Sequence, residues 1–146
     1  MYHQINKSAF HGKDKFLNLK FIDPPNAPPP AANYRNLAIV PGGHRLLVLA
    51  GQIGNLMDGT IVEGLEAQYK QALSNISAIV ASEDGAPDDI ARITVFLVDK
   101  PSKGELIQQA NKDTFPGGPP TMSWVYVAGL FRPDVKVEIE AIAAVE

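Results

Sequence analysis

Two carboxylates two residues apart, Glu138 and Glu140, sit in the alternating run "VKVEIEAIAAV" near the end of the chain. On a strand such a pair shares one face at a separation of roughly 7 Å. On a solvated face the two would be ordinary surface charges. At a cleft edge, lost solvation would raise a carboxylate's pKa and let it exchange protons with a water or a substrate near neutral pH. The pattern alone allows both readings. The stretch "FPGGPPTMSW", residues 115–124, offers a second wall for such a cleft. Its glycines expose backbone N–H groups that can bind a ligand oxygen. Met122 and Trp124, at i and i+2, point the same way, either as an apolar lining or as core.

Other candidates for chemistry fall away. His3, His11 and His44 have no partners at metal-ligand spacing and there is no cysteine, so neither a metal site nor a disulfide is expected. Gly42-Gly43 and the "GQIG" of residues 51–54 fit neither a phosphate-binding P-loop nor a dinucleotide fingerprint. Asp88-Asp89 and Glu83-Asp84 read as a solvated loop, and Asn75-Ile76-Ser77 as a chance sequon inside a helix. A net charge of -3 offers no basic footprint for a nucleic acid. With no apolar leader, the expectation is a cytoplasmic protein with no membrane contact.

The elements that would position these groups follow from periodicity. A length of 146 residues suits one domain, which buries roughly 70% of its unfolded surface. Residues 1–25 read as an N-terminal extension in which "KFLNLKFI" could add an edge strand, and residues 26–146 as the domain. The proline run "DPPNAPPPAA" leads into it as extended loop. "YRNLAIV" and "HRLLVLAGQIG" flank Pro41-Gly42-Gly43 and predict a hairpin. Leu65, Tyr69, Leu73, Ile76 and Val80 recur at helical spacing, stopped by Gly85 and Pro87. "DIARITVFLVD" is a strand, and a second helix opens at Ser102, where Ser102 and Glu105 fit a capping box. "TMSWVYVAGL" and "VKVEIEAIAAV" complete a ββαβαββ order. This predicts an α+β fold, one mixed sheet with two helices packed on one face. The run "LLVLA" does not alternate, so it calls for cover on both faces of the sheet. With helices on one side only, the second face must meet another subunit in a closed homo-oligomer, unless the N-terminal extension folds over it.

"NAPPPAANY", "LVLAGQIG", "EAQYKQALSNISAIVAS", "ARITVFLVD", "FPGGPP" and "VKVEIEAIA" follow in an order and spacing similar to the RidA/YjgF family, also known as endoribonuclease L-PSP proteins. The resemblance covers about residues 26–144. It implies a chorismate-mutase-like fold and a homotrimer with a central β-barrel. It also implies small-molecule sites in the inter-subunit clefts, where deaminating members hydrolyse enamines and imines without a cofactor. Carried over by position, the water-positioning glutamate falls on Glu138, the N-terminal-loop tyrosine on Tyr34, and the ligand-facing glycine on Gly51. The asparagine usual in the second helix corresponds to Gln108. Where deaminating members carry an arginine that grips the substrate carboxylate, this chain reads Pro120-Thr121-Met122. Ala50 stands for the usual serine, Ala32-Asn33 for Gly-Pro, and Trp124 for a smaller residue.

The expectation is therefore a RidA-type hydrolase whose catalytic residue is Glu138, with Tyr34, Gly51, Gln108, Met122 and Trp124 binding a substrate other than a small 2-imino acid. The alternatives are a non-catalytic trimer that binds a metabolite or a protein, and, third, an endoribonuclease.

Overall fold

The structure is a computed structural model describing residues 19–146. Two helices and a four-stranded mixed sheet form its body. The helices are α1 (Leu65–Ala81) and α2 (Gly104–Thr114). The strands are β1 (Lys20–Ile22), β2 (Leu37–Ile39), β3 (Arg45–Ile53), β4 (Ile90–Leu97), β5 (Thr121–Tyr126) and β6 (Val137–Val145). The sheet order is β3-β6-β4-β5, with β6 antiparallel to both neighbours and β5 parallel to β4. A parallel neighbour needs a crossover, and α2 supplies it.

The alternation of β6 places Val137, Ile139, Ala141 and Ala143 on one face, all buried, against Tyr69, Leu73, Ile76 and Val80 of α1. Ile93, Val95 and Leu97 of β4 and Ile107 and Ala110 of α2 close the same core. The other face of the sheet is open and apolar at one end. Leu46 is 60% exposed, Val48 78% and Ile142 38%. In "LLVLA" only Leu49 is buried within the chain, with Leu47 half-buried.

Two local expectations are corrected. The predicted hairpin does not form, because β2 pairs with β1 (Lys20↔Ile39, Ile22↔Leu37) and not with β3. The chain before β2 is instead fixed by Asp23, which accepts from the Asn36 N–H at 2.8 Å and the Arg35 guanidinium at 3.1 Å, and by the Arg35 N–H donating to Pro120 O at 3.3 Å. The described part of "KFLNLKFI" is a strand paired with β2 in a separate two-stranded sheet.

Nor does Ser102 cap α2, whose N-cap is Lys103. The Ser102 hydroxyl donates to Glu66 Oε1 at 3.0 Å, and the Lys103 N–H donates to the same atom at 2.8 Å. A carboxylate from the first turn of α1 therefore holds the entry to α2 through the Ser102 hydroxyl and the Lys103 N–H. Among the described residues no helix is long and apolar enough to cross a membrane.

Candidate functional site

Register decides which side chains meet. Leu49 pairs with Ala141 and Gln52 with Ile139, so Ala50 and Gly51 together face one residue, Glu140, in a β-bulge. The bulge brings the Gly51 backbone onto the Glu138 side chain. A Cβ at Gly51 would stand 2.7 Å from Glu138 Cδ and 2.8 Å from Cγ, far inside contact distance. Gly54 has a similar reason, since its Cβ would lie 2.6 Å from Gln68 Cβ. The glycines of "GQIG" thus answer close approach.

Glu138 is half-buried, on the open face opposite Phe96, and among the described residues its carboxylate has no hydrogen-bond or ion-pair partner. Glu140, one pair along opposite Thr94, is exposed. Beside it Arg92 donates to Ser123 Oγ at 2.8 Å.

Gln68, 2% exposed, secures the approach to β6. It donates to Val62 O and Asp134 O and accepts from the Lys136 N–H at 2.7 Å. Asn75 donates to Ile53 O at 3.0 Å and Asn55 O at 2.9 Å, tying the end of β3 to α1. An amide so engaged is a structural part of the helix-to-strand contact.

Met122 and Trp124 do point the same way, but not towards Glu138. They pair with Ile93 and Val95, whose side chains are buried beneath the helices, and both pack at the margin of the core. Trp124 lies against Tyr69, ring centroids 5.8 Å apart, and the Tyr69 hydroxyl donates to Asn111 Oδ1 at 2.6 Å. Burial pushes the Tyr69 phenol well above its ordinary pKa. One chain therefore keeps Glu138 and the Met122–Trp124 pair on opposite faces of its sheet.

Tyr34 is half-buried just before the Arg35–Thr121 bridge, and its phenolic oxygen accepts the Ala31 N–H at 3.2 Å. Gln108 is exposed on α2, turned away from the sheet. The amide that α2 sends inward is Asn111, four residues after buried Ile107. The signal was available in that i, i+4 spacing. His44 serves its turn by donating to Pro41 O at 3.1 Å, and His3 and His11 lie outside the described residues. Among those residues, no three His, Asp or Glu side chains are grouped to hold a metal ion.

An α+β sheet with two helices, a bulge glycine pressed on a glutamate and a glycine- and proline-rich turn into β5 define the class, and the comparisons name it. Residues 24–145 match the family model Endoribonuclease L-PSP, and the chain belongs to this RidA/YjgF family. It is 30% identical over 114 residues to the RutC family protein YjgH of Escherichia coli, covering 78% of this chain and 86% of that one. It is 35% identical over 105 residues to the 2-iminobutanoate/2-iminopropanoate deaminase of Salmonella typhimurium, covering 67% of this chain and 78% of that one. Among solved structures, the Rid-family protein YyfB of Yersinia pestis superposes with a TM-score of 0.78 at 26% identity, covering 88% of this chain and 99% of that one.

Proposed function

We propose that the protein is a cofactor-free hydrolase of the enamine and imine type, working at a cleft between two copies of the chain in a homotrimer whose open sheet faces enclose a central barrel. One copy contributes Gly51 and Glu138. The neighbouring copy contributes the start of β5, with Tyr34, Met122 and Trp124. In this reading Glu138 takes a proton from a water, the resulting hydroxide adds to the C=N carbon, and the tetrahedral carbinolamine collapses to a carbonyl compound. Glu138 returns that proton to the nitrogen as the hydroxide adds, and on collapse the carbinolamine's hydroxyl proton passes to the departing nitrogen, so one imine and one water give one carbonyl compound and one ammonia.

The observation that carries the reading is the Glu138 carboxylate, half-buried in space that only a glycine at 51 leaves and uncommitted within the described chain. Glu140 is its internal control, a carboxylate on the same strand face that is exposed. Relatives bearing the deaminase name support the reaction class. Met122 argues against the small 2-imino acids, whose carboxylate an arginine at this position would grip, since a thioether cannot pair with an anion. A net charge of -3 weighs against the ribonuclease reading.

The test is ammonia release from a panel of imines generated in situ, comparing Glu138→Gln with Glu140→Gln. Turnover lost only in Glu138→Gln is expected. Equal, negligible effects would favour the non-catalytic binding trimer, for which the replacement of an arginine by Met122 is the specific argument.

A further inference from the structure

We propose that the cavity between the end of α2, the loop into β5 and Asn33 is a binding site for a small organic carboxylate with an apolar tail. Its volume is about 280 Å³, the scale of a metabolite of a few carbon atoms. Phe115, Pro116 and Pro119 form apolar walls, and Asn111, Lys112 and Asn33 bring the polar groups.

Asn111 presents a donor of fixed sense. Tyr69 is fully buried and its hydroxyl has one partner, Asn111 Oδ1 at 2.6 Å. A buried O–H must donate, so the oxygen of the Asn111 amide is taken and its NH₂ group is left to face elsewhere. Asn111 lines the cavity, and that NH₂ is the donor its side chain can offer a ligand there. Lys112, next in sequence, is the basic residue of the last turn of α2 and is exposed. The carbonyls at a helix C-terminus favour a cation there, and Lys112 is placed at the cavity rim. Among the described residues Lys112 forms no ion pair, whereas Asp113 accepts from Gln109 at 2.7 Å. One cation and one oriented amide suit a carboxylate, to which a charge-assisted hydrogen bond is worth about twice a neutral one.

This deepens the proposed function, on which it rests only for its catalytic consequence: the carboxylate group would be held from α2 rather than from position 122. It also supplies its own readout. Trp124 is the single tryptophan of the chain and touches Tyr69, the partner of Asn111.

The probes are 3-methylbutanoate and its neutral isostere 3-methylbutanamide, titrated by Trp124 fluorescence and by calorimetry. The acid should bind saturably and at least about tenfold more tightly than the amide. Lys112→Gln should weaken the acid by about tenfold or more, and Lys112→Arg should restore most of it. Asn111→Asp keeps an acceptor for Tyr69 while removing the donor, and should abolish acid binding with the fold intact by circular dichroism. No saturable binding of the acid, equal binding of acid and amide, or a Lys112→Gln protein that binds normally would each overturn the proposal. Imine turnover that depends on Glu138 but not on Lys112 would overturn it while leaving the hydrolase reading in place. Lys112-dependent binding without turnover of any imine would do the reverse.

Discussion

Gly51 leaves the space that the Glu138 side chain fills: a Cβ there would meet Glu138 Cδ at 2.7 Å. No left-handed φ is required at Gly51, so its glycine is explained by room alone. Gly51→Ala should push the carboxylate out of its place, since Cγ is blocked at 2.8 Å as well as the head group. The fold should survive, with a loss of about 1–3 kcal/mol from overpacking. Turnover should fall at least as far as in Glu138→Gln. Thermal melts and ammonia release measure the two effects, and an alanine variant with full turnover would show that this placement of Glu138 is not the working one.

The open face makes a second prediction. Val48, 78% exposed on a strand between Leu47 and Leu49, belongs to an apolar patch with Leu46 and Ile142. Burying a valine contributes roughly 1.5–3 kcal/mol, and a lysine in its place would carry an unpaired charge into the interface. Light scattering should give the mass of three chains for the natural protein and of one for Val48→Lys, with the circular dichroism of the two unchanged. A natural protein that is monomeric at micromolar concentration rules out the inter-subunit cleft.

Glu66 predicts an acid-sensitive contact. The Lys103 N–H, its own backbone and the Ser102 hydroxyl hold its carboxyl below the ordinary value. A depressed folded-state pKa contributes stability that is complete above the unfolded value, near 4.3, and is lost as pH falls through the folded one. Glu66→Gln should cost about 0.5–1 kcal/mol at pH 7, the scale of a helix cap reduced by competing water. The cost should shrink below about pH 4 as the natural carboxyl is itself protonated. Denaturant titrations at pH 7 and at pH 3 compare the two proteins, and a gap that stays constant or widens in acid would contradict the linkage.

Much of this architecture is written in local pattern. The spacing of Tyr69, Leu73, Ile76 and Val80 specifies α1 because each of them is buried on one stripe. Val137, Ile139 and Ala141 specify the inward face of β6 in the same way. What pattern does not carry is partnership. "YRNLAIV" reads as a strand whichever neighbour it takes, and its pairing with β1 is set by Asp23 and Pro120, distant in sequence. The same limit governs the site. That Met122 and Trp124 share a face is legible from i, i+2 spacing. That this face is opposite to the one carrying Glu138 depends on the pairings Met122↔Ile93 and Phe96↔Glu138. Gln108 follows from correspondence with the family, while the periodicity of α2 turns Asn111 inward.

The last prediction concerns Met122, on the edge strand β5 and half-buried beside Trp124. Neither Arg132 nor Arg35 is a ready substitute: Arg132 is bound bidentately to Asp134, and Arg35 is paired with Asp23 at 3.1 Å. An arginine gripping a carboxylate in a partly dry cleft contributes roughly 1.5–3 kcal/mol, about a 10- to 150-fold change in affinity. The natural protein should therefore release pyruvate from 2-aminoacrylate, supplied by a coupled dehydratase, barely above background. Met122→Arg should raise that rate at least tenfold, provided Trp124 leaves the guanidinium room to face the ligand. The double variant Met122→Arg, Glu138→Gln should fall back to background, which ties the gain to water activation and not to binding alone. If the natural protein already matches a deaminase that has the arginine, the carboxylate is held elsewhere. Lys112→Gln then separates the two sources: a fall in that native rate assigns the grip to α2, and an unchanged rate removes both Met122 and Lys112 from the account of how this chain selects its substrate.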